Sequence, residues 1–302
     1  MSYGISFGAW PVIQTYLHVP HPIVPKLLKS IAKSLWKDVG SRHKHQLDKA
    51  EIGITDDIIY AIVRYAKHNP YSGIRVWKAK NEHKHGHDID LFIEDVHRRG
   101  YYWFPLQAKV LRQNKGYDNV KSKAQWKLLT QLKESRKAAG VWCQPYYLLY
   151  NGFSRRCFSK YASKHVDTAG YSALGCTLVD VELMESVCAG GDPKYSDFHT
   201  HRQLAARPIK VLPWHELPAL TISGVMAAKR SKAVTGLVQA DVLESRARFY
   251  DEVVETPPEA PASYFYYYGD AGTASPDEEG FGRYTLIIDQ PNLLDIMLNE
   301  LR

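Results

Sequence analysis

The stretch GHDIDLFIEDVHRRGYYWFPLQAKVL, residues 86–111, constrains the fold more than any other part of the chain. Two apolar runs are joined by a charged turn that contains a glycine, which predicts a β-hairpin. Side chains at i and i+2 share one face of a strand. Asp88 and Asp90 therefore point one way, and Ile89, Leu91 and Ile93 the other. On the second arm Gln107 and Lys109 share a face, opposite Leu106, Ala108 and Val110. The expectation is that one face enters the core while the other gathers a carboxylate, a carbonyl-type oxygen and an ammonium. Metal-assisted phosphodiester hydrolysis uses these groups. Hard oxygens hold Mg²⁺, and a lysine offsets charge on the scissile phosphate or orients the attacking water.

The segments around the hairpin set its context. A helix is expected at 25–38. A second, ITDDIIYAIVRYAKHN (54–69), opens on a Thr-Asp-Asp cap signal and carries apolar residues at helical spacing. GIRVWKAK (73–80) alternates like a strand. KSKAQWKLLTQLKESRKAA (121–139) is a helix closed by Gly140 at its C-terminal cap. QPYYLLYNG (144–152) and ALGCTLVDVELM (173–184) are further strands. Helix, three strands, helix, strand predicts an α/β chain with helices against a central mixed sheet.

Past residue 185 the pattern weakens. RPIKVLPWHELPAL is extended and could return a strand to the core, residues 227–254 look mostly helical, YFYYYG suggests an edge strand, and PNLLDIMLNELR a final helix. The expected division is a helical lead-in at 1–44, a core at 45–220, and a mainly helical accessory or oligomerisation region at 221–302.

Thirty-nine Lys and Arg against 32 Asp and Glu give a net charge of +7, which favours a polyanionic partner, nucleic acid before an acidic membrane. The 45% hydrophobic content supports a sizeable core. Four cysteines without a C-x-x-C pair suggest reduced thiols and a cytoplasmic location. No run approaches the roughly 18 apolar residues of a membrane span, and the first residues lack the basic start of a signal peptide. PKLLKSIAKSLWKDV (25–39) is basic and amphipathic; its apolar stripe is expected to pack on its own domain rather than on a membrane.

Asp88, a hairpin turn and then Gln107-Ala108-Lys109 resemble the motif of the PD-(D/E)XK nuclease superfamily in its Q-x-K variant. GHD followed by QAK is similar to the Gly-x-Asp and Gln-x-Lys pair of Mrr-type restriction enzymes. The likeness extends to EIGITDDII upstream and to Gln125 and PYYLLYNG downstream, and with them resembles a bacterial family found among phage-defence genes. It covers about residues 45–185. The resemblance implies a restriction endonuclease-like core that cleaves DNA, less often RNA, with Mg²⁺ or Mn²⁺. It casts Asp88 and Gln107 as metal ligands and Lys109 as the catalytic cation. Gln107 stands where a carboxylate is commoner, and a neutral ligand weakens the site. Glu51, just ahead of the second helix, is expected to compensate, with Asp90 as the other candidate acid.

RQNKGYDNVKSKAQWK (112–127) interleaves Arg112, Lys115, Lys121, Lys123 and Lys127 with Tyr117 and Trp126, which suits backbone contact and base stacking. Gln125 is expected near the site on the following helix. His83, His85 and His87 alternate ahead of Asp88. Their order is wrong for a zinc hydrolase string, so a cationic loop at the mouth of the site is the preferred reading. No phosphate-binding G-x-x-x-x-G-K-[ST] or nucleophile-elbow G-x-S-x-G occurs. Two rival readings stay open: a nuclease fold that binds without cutting, and an α/β protein whose basic face meets a protein partner. Self-association or a regulatory partner would fall to the C-terminal region.

Overall fold

The computed structural model describes residues 23–79, 87–95, 100–120, 125–153, 171–199, 210–218, 236–242, 250–252 and 283–289. Helix α1 (Ile23–Lys44) and helix α2 (Glu51–His68) precede strands β1 (Ile74–Ala79), β2 (Ile89–Asp95) and β3 (Gly100–Val110). Helix α3 (Gln125–Ala138) leads to β4 (Tyr146–Tyr150) and β5 (Cys176–Asp180). Then come α4 (Val181–Gly190), the single turn α5 (Tyr195–Phe198), β6 (Val211–Pro213), β7 (Tyr250–Glu252) and β8 (Tyr284–Ile288). The eight strands form one mixed sheet in the order β6-β5-β4-β3-β2-β8-β1-β7. This is the α/β class expected from the sequence.

Strands β2 and β3 form the expected antiparallel hairpin, in register from Ile89 opposite Leu106 to Asp95 opposite Gly100. Strand β4 runs parallel to β3, pairing Gln107 with Tyr147 and Lys109 with Leu149. A parallel pair needs a crossover, and α3 lies in it.

Both faces of the sheet are covered. Ile89, Leu91, Ile93, Leu106, Ala108 and Val110 join one core with Leu28, Ile31 and Leu35 of α1 and Ile54, Ile58 and Ile62 of α2. On the other face Tyr147, Leu149 and Val179 pack with Trp126 and Leu129 of α3 and with Val181 and Met184 of α4. Farther along it, Phe92, Trp103 and Ile287 form a third cluster with Trp77. A strand buried on both sides reads as a nearly continuous apolar run, and all eleven residues of β3 are buried. The polar residues of this face are thus enclosed too: Gln107 and Lys109 are buried, and Asp88, just ahead of β2, is half-buried.

Four expectations need correction. Helix α2 starts at Glu51, four residues before the Thr-Asp-Asp signal, because Thr55 sits inside the helix. Its hydroxyl bonds back to the Glu51 carbonyl at 3.1 Å and meets the Tyr150 hydroxyl at 3.0 Å. The strand expected over 173–184 stops at Asp180, whose side chain accepts the Glu182 N–H at 2.9 Å and caps α4. Helix α1 is no lead-in but a wall of the core. A Cβ on Gly40 would lie 2.5 Å from the Phe153 carbonyl oxygen, so the helix approaches that chain at backbone contact. Finally, the region expected to be a mainly helical accessory contributes two strands. Strand β8 lies between β2, to which it runs parallel, and β1, to which it runs antiparallel. Alternation over five residues is too short to reveal a central strand so far from its partners. The YFYYYG and PNLLDIMLNELR segments lie outside the described residues.

Candidate active site

Strands β2 and β3 part at Ile89–Leu106, while β3 continues beside β4 to Val110. Asp88 sits at the fork. Its N–H donates to the Leu106 carbonyl at 2.8 Å, and its carbonyl accepts the Tyr284 N–H of β8 at 3.0 Å, so its backbone is held from both sides. Its carboxylate Oδ2 accepts the Ala108 N–H at 2.8 Å and the Gln107 Nε2–H at 2.6 Å. Burial raises the Asp88 pKa. The Ala108 N–H and then the charges of Lys109, His87 and Arg283 oppose that rise.

Lys109 reaches from β3 to the first residue of α2. Its Nζ lies 3.3 Å from Glu51 Oε1 and 3.5 Å from Oε2. The Lys109 side chain is 5% exposed and that of Glu51 26%. A buried ammonium requires such a partner. Glu51 is thus no solvated cap acid; the early start of α2 brings it to the motif lysine. The charges of both Asp88 and Glu51 act on the buried Tyr150 phenol, whose pKa is raised chiefly by burial.

The residues present fit a hard divalent cation in part. Among the described residues, both hydrogen bonds to the Asp88 carboxylate fall on Oδ2 and none on Oδ1. Gln107 donates from Nε2 to Asp88 and to the Ala108 carbonyl, and its Oε1 accepts no hydrogen bond among the described residues. Two oxygens with unspent lone pairs therefore stand at the fork, one charged and one neutral. No group of three His, Cys, Asp or Glu side chains is placed to hold a metal among the described residues.

Asp90 serves elsewhere. It is fully buried, and its Oδ1 accepts from Trp103 Nε1 at 2.5 Å and meets His87 Nε2 at 3.0 Å. The His87 side chain is itself fully buried, so it does not face a phosphate as part of a cationic loop. His83 and His85 lie outside the described residues, as do Lys121 and Lys123.

The basic segment divides. Lys127 is exposed. Arg112 is braced against Asp118 at 3.1 Å and the Lys49 carbonyl at 3.5 Å. Lys115 holds a turn with φ of 68°. Tyr117 cannot stack on a base from where it sits: it is fully buried and donates to Asn151 Oδ1 at 2.5 Å. Gln125 is half-buried, and its Oε1 is an enclosed oxygen with no hydrogen-bond partner among the described residues.

Sequence reasoning missed Arg283, Tyr284 and Asp56. The Tyr284 hydroxyl donates to Asp56 Oδ1 at 2.7 Å, and Arg283 Nη1 lies 3.7 Å from the same oxygen. Only the sheet order, which places β8 against β2, reveals them.

Comparison with known families adds one result. DUF6615, a family of unknown function, matches residues 24–288. The chain belongs to this family. Its span runs from α1 to the last residue of β8, so the family domain takes in the late strand as well as the hairpin. Neither curated proteins nor solved structures yielded a match. Among the described residues, no helix is long and apolar enough to cross a membrane.

Proposed function

We propose that this member of DUF6615 is a metal-dependent endonuclease related to the PD-(D/E)XK superfamily through a Q-x-K motif, with DNA as substrate. The observation that carries the reading is the meeting of Asp88, Gln107, Lys109 and Glu51 where β2 and β3 part. The order α2-β1-β2-β3-α3-β4, with β4 parallel to β3, supports it as well.

In this reading Asp88 Oδ1 and Gln107 Oε1 hold Mg²⁺ or Mn²⁺. When bound, the cation would polarise a phosphoryl oxygen and make water a better nucleophile. One carboxylate and one amide hold Mg²⁺ weakly, which matches a cation that completes its shell with water and substrate phosphates. Lys109 places a positive charge beside the phosphate, and Glu51 orients that ammonium. Exposed Lys127 meets the backbone at a distance from the chemistry. A role in defence against foreign DNA, in the cytoplasm, is the setting that the motif's resemblance suggests.

Incubation of the purified protein with plasmid, linear DNA and RNA, with and without Mg²⁺ or Mn²⁺, tests the proposal. Cleavage that EDTA stops and Lys109→Ala abolishes is expected. Cleavage that survives Lys109→Ala would refute the site. One observation favours a second reading: Gln107 is neutral and Glu51 pairs with Lys109, so among the described residues Asp88 is the one carboxylate at the fork not paired with that lysine. A protein that binds DNA without cutting would keep its affinity and give no product in any metal.

A further inference from the structure

Strand β4 brings a buried phenol to the motif. It runs beside β3 with Tyr147 abreast of Gln107 and Leu149 abreast of Lys109. Residues abreast in neighbouring strands send their side chains to the same face of a sheet, so Tyr147 rises beside the Gln107 amide. A tyrosine reaches farther from the backbone than a glutamine, which carries the hydroxyl past that amide. Tyr147 is 0% exposed and belongs to the cluster of Trp126 and Leu129 on α3. Gln107 and Lys109 are nearly as enclosed, at 2% and 4%. The Tyr147 hydroxyl has no hydrogen-bond partner among the described residues. Two other enclosed phenols do: Tyr117 donates to Asn151, and Tyr150 meets Thr55. A buried hydroxyl without a partner destabilises a fold, and phenylalanine would fill the same space without that penalty.

We propose that Tyr147 is a phosphate-contacting residue of this site, its O–H donating to a non-bridging oxygen of the DNA phosphate that Lys109 faces. This rests on the nuclease reading above. The two groups do different work. The ammonium supplies charge, whereas the neutral phenol supplies a fixed direction, one O–H aimed at an oxygen that gains negative charge during the reaction. A phosphate that comes within reach of the lysine enters the same closed space as the phenol. Tyr195 provides a control. Its hydroxyl is likewise buried and unpartnered among the described residues, but it sits on α5, stacked on the His199 ring at 4.0 Å.

The test is single-turnover cleavage of linear DNA in Mg²⁺ and in Mn²⁺. Thermal unfolding and metal-free DNA binding across a salt series are read alongside it, since neither depends on catalysis. Tyr147→Phe should melt no earlier than the parent and cleave about tenfold more slowly, the loss of one hydrogen bond to the reacting group. It should keep the parent's slope of log K against log salt, because a neutral group releases no counterion. Tyr195→Phe should also melt no earlier than the parent, and should cleave at the parent rate. Cleavage at the parent rate in Tyr147→Phe overturns the role of Tyr147 and leaves the nuclease reading standing. A melting temperature well below the parent's in Tyr147→Phe makes the hydroxyl a structural tie and overturns it too. So does an equal slowing in Tyr195→Phe, which would trace the loss to any emptied hydroxyl space rather than to this one. A parent chain that gives no cleavage overturns both.

Discussion

The Lys109–Glu51 pair predicts an asymmetry that separates function from packing. At 3.3 Å the attraction is about 5 kcal/mol at an effective dielectric of 20 and about 1 kcal/mol in bulk water. Glu51 is a quarter exposed, which places the pair nearer the watery end, at about 2 kcal/mol. In Glu51→Gln the amide oxygen can still accept a hydrogen bond, but a nearly buried ammonium loses its countercharge. Destabilisation of about 2 kcal/mol is expected, or roughly 4–8 °C in melting temperature for a chain of this size. Lys109→Met removes the buried charge and keeps the apolar stem, leaving Glu51 able to reach water. Its cost should be under about 1 kcal/mol, or even a gain. Both variants should lose cleavage, whereas only Glu51→Gln should melt markedly earlier. Urea and thermal unfolding of the two proteins at neutral pH decide it. If Lys109→Met is the less stable of the two, the lysine is a structural tie and the account of a poised, energetically costly ammonium is wrong.

His199 gives a pH prediction. It is buried against the Tyr195 ring, with Nε2 3.1 Å from Thr177 Oγ1, and burial lowers its pKa from 6.5 to about 4. The unfolded chain therefore binds a proton that the folded chain refuses. Stability should fall as pH drops from about 6.5 to about 4, by on the order of 3 kcal/mol from this group, and unfolding midpoints that stay flat across that window would contradict it. Gln107→Glu adds a charge next to Asp88. At a metal site it should lower the Mg²⁺ needed for cleavage, whereas at a metal-free phosphate surface it should weaken DNA binding regardless of metal; a Mg²⁺ titration of binding and cleavage reads the sign. Tyr117→Phe removes the buried bond to Asn151 and should cost about 1–2 kcal/mol of stability while leaving nucleic-acid affinity at the parent value; weakened affinity would mean that Tyr117 does reach a base.

What the sequence revealed followed from short-range geometry. Alternation places Ile89, Leu91 and Ile93 together because neighbouring side chains in a strand must point apart, and the hairpin register follows from the turn. The meeting of Asp88 with Gln107 was legible for that reason. Asp90 obeyed the alternation but not the inference drawn from it. Two residues can share a face that changes from open fork to buried cluster within one strand step, and only the covering elements decide where it changes. Tyr117 misled in a similar way, since an aromatic among lysines looks like a stacking platform until the depth of the loop is known. Arg283 was beyond local reasoning altogether. Its relation to Asp88 is a fact of strand order, and strand order between distant segments leaves no periodic trace.

The position of β8 also bears on how the molecule comes to be made. A chain that emerges from its N-terminus has β1, β2 and β3 long before residues 284–288 exist, yet β1 and β2 have no direct pairing and meet only through β8. Until that strand arrives the sheet is split, with two edges open to the wrong neighbours. The Asp88 carbonyl lacks its Tyr284 donor over the same interval. Synthesis thus acts as a timer: the fork gains its final geometry only when nearly the whole family domain has been produced, and a prematurely ended chain would carry the motif without a finished site.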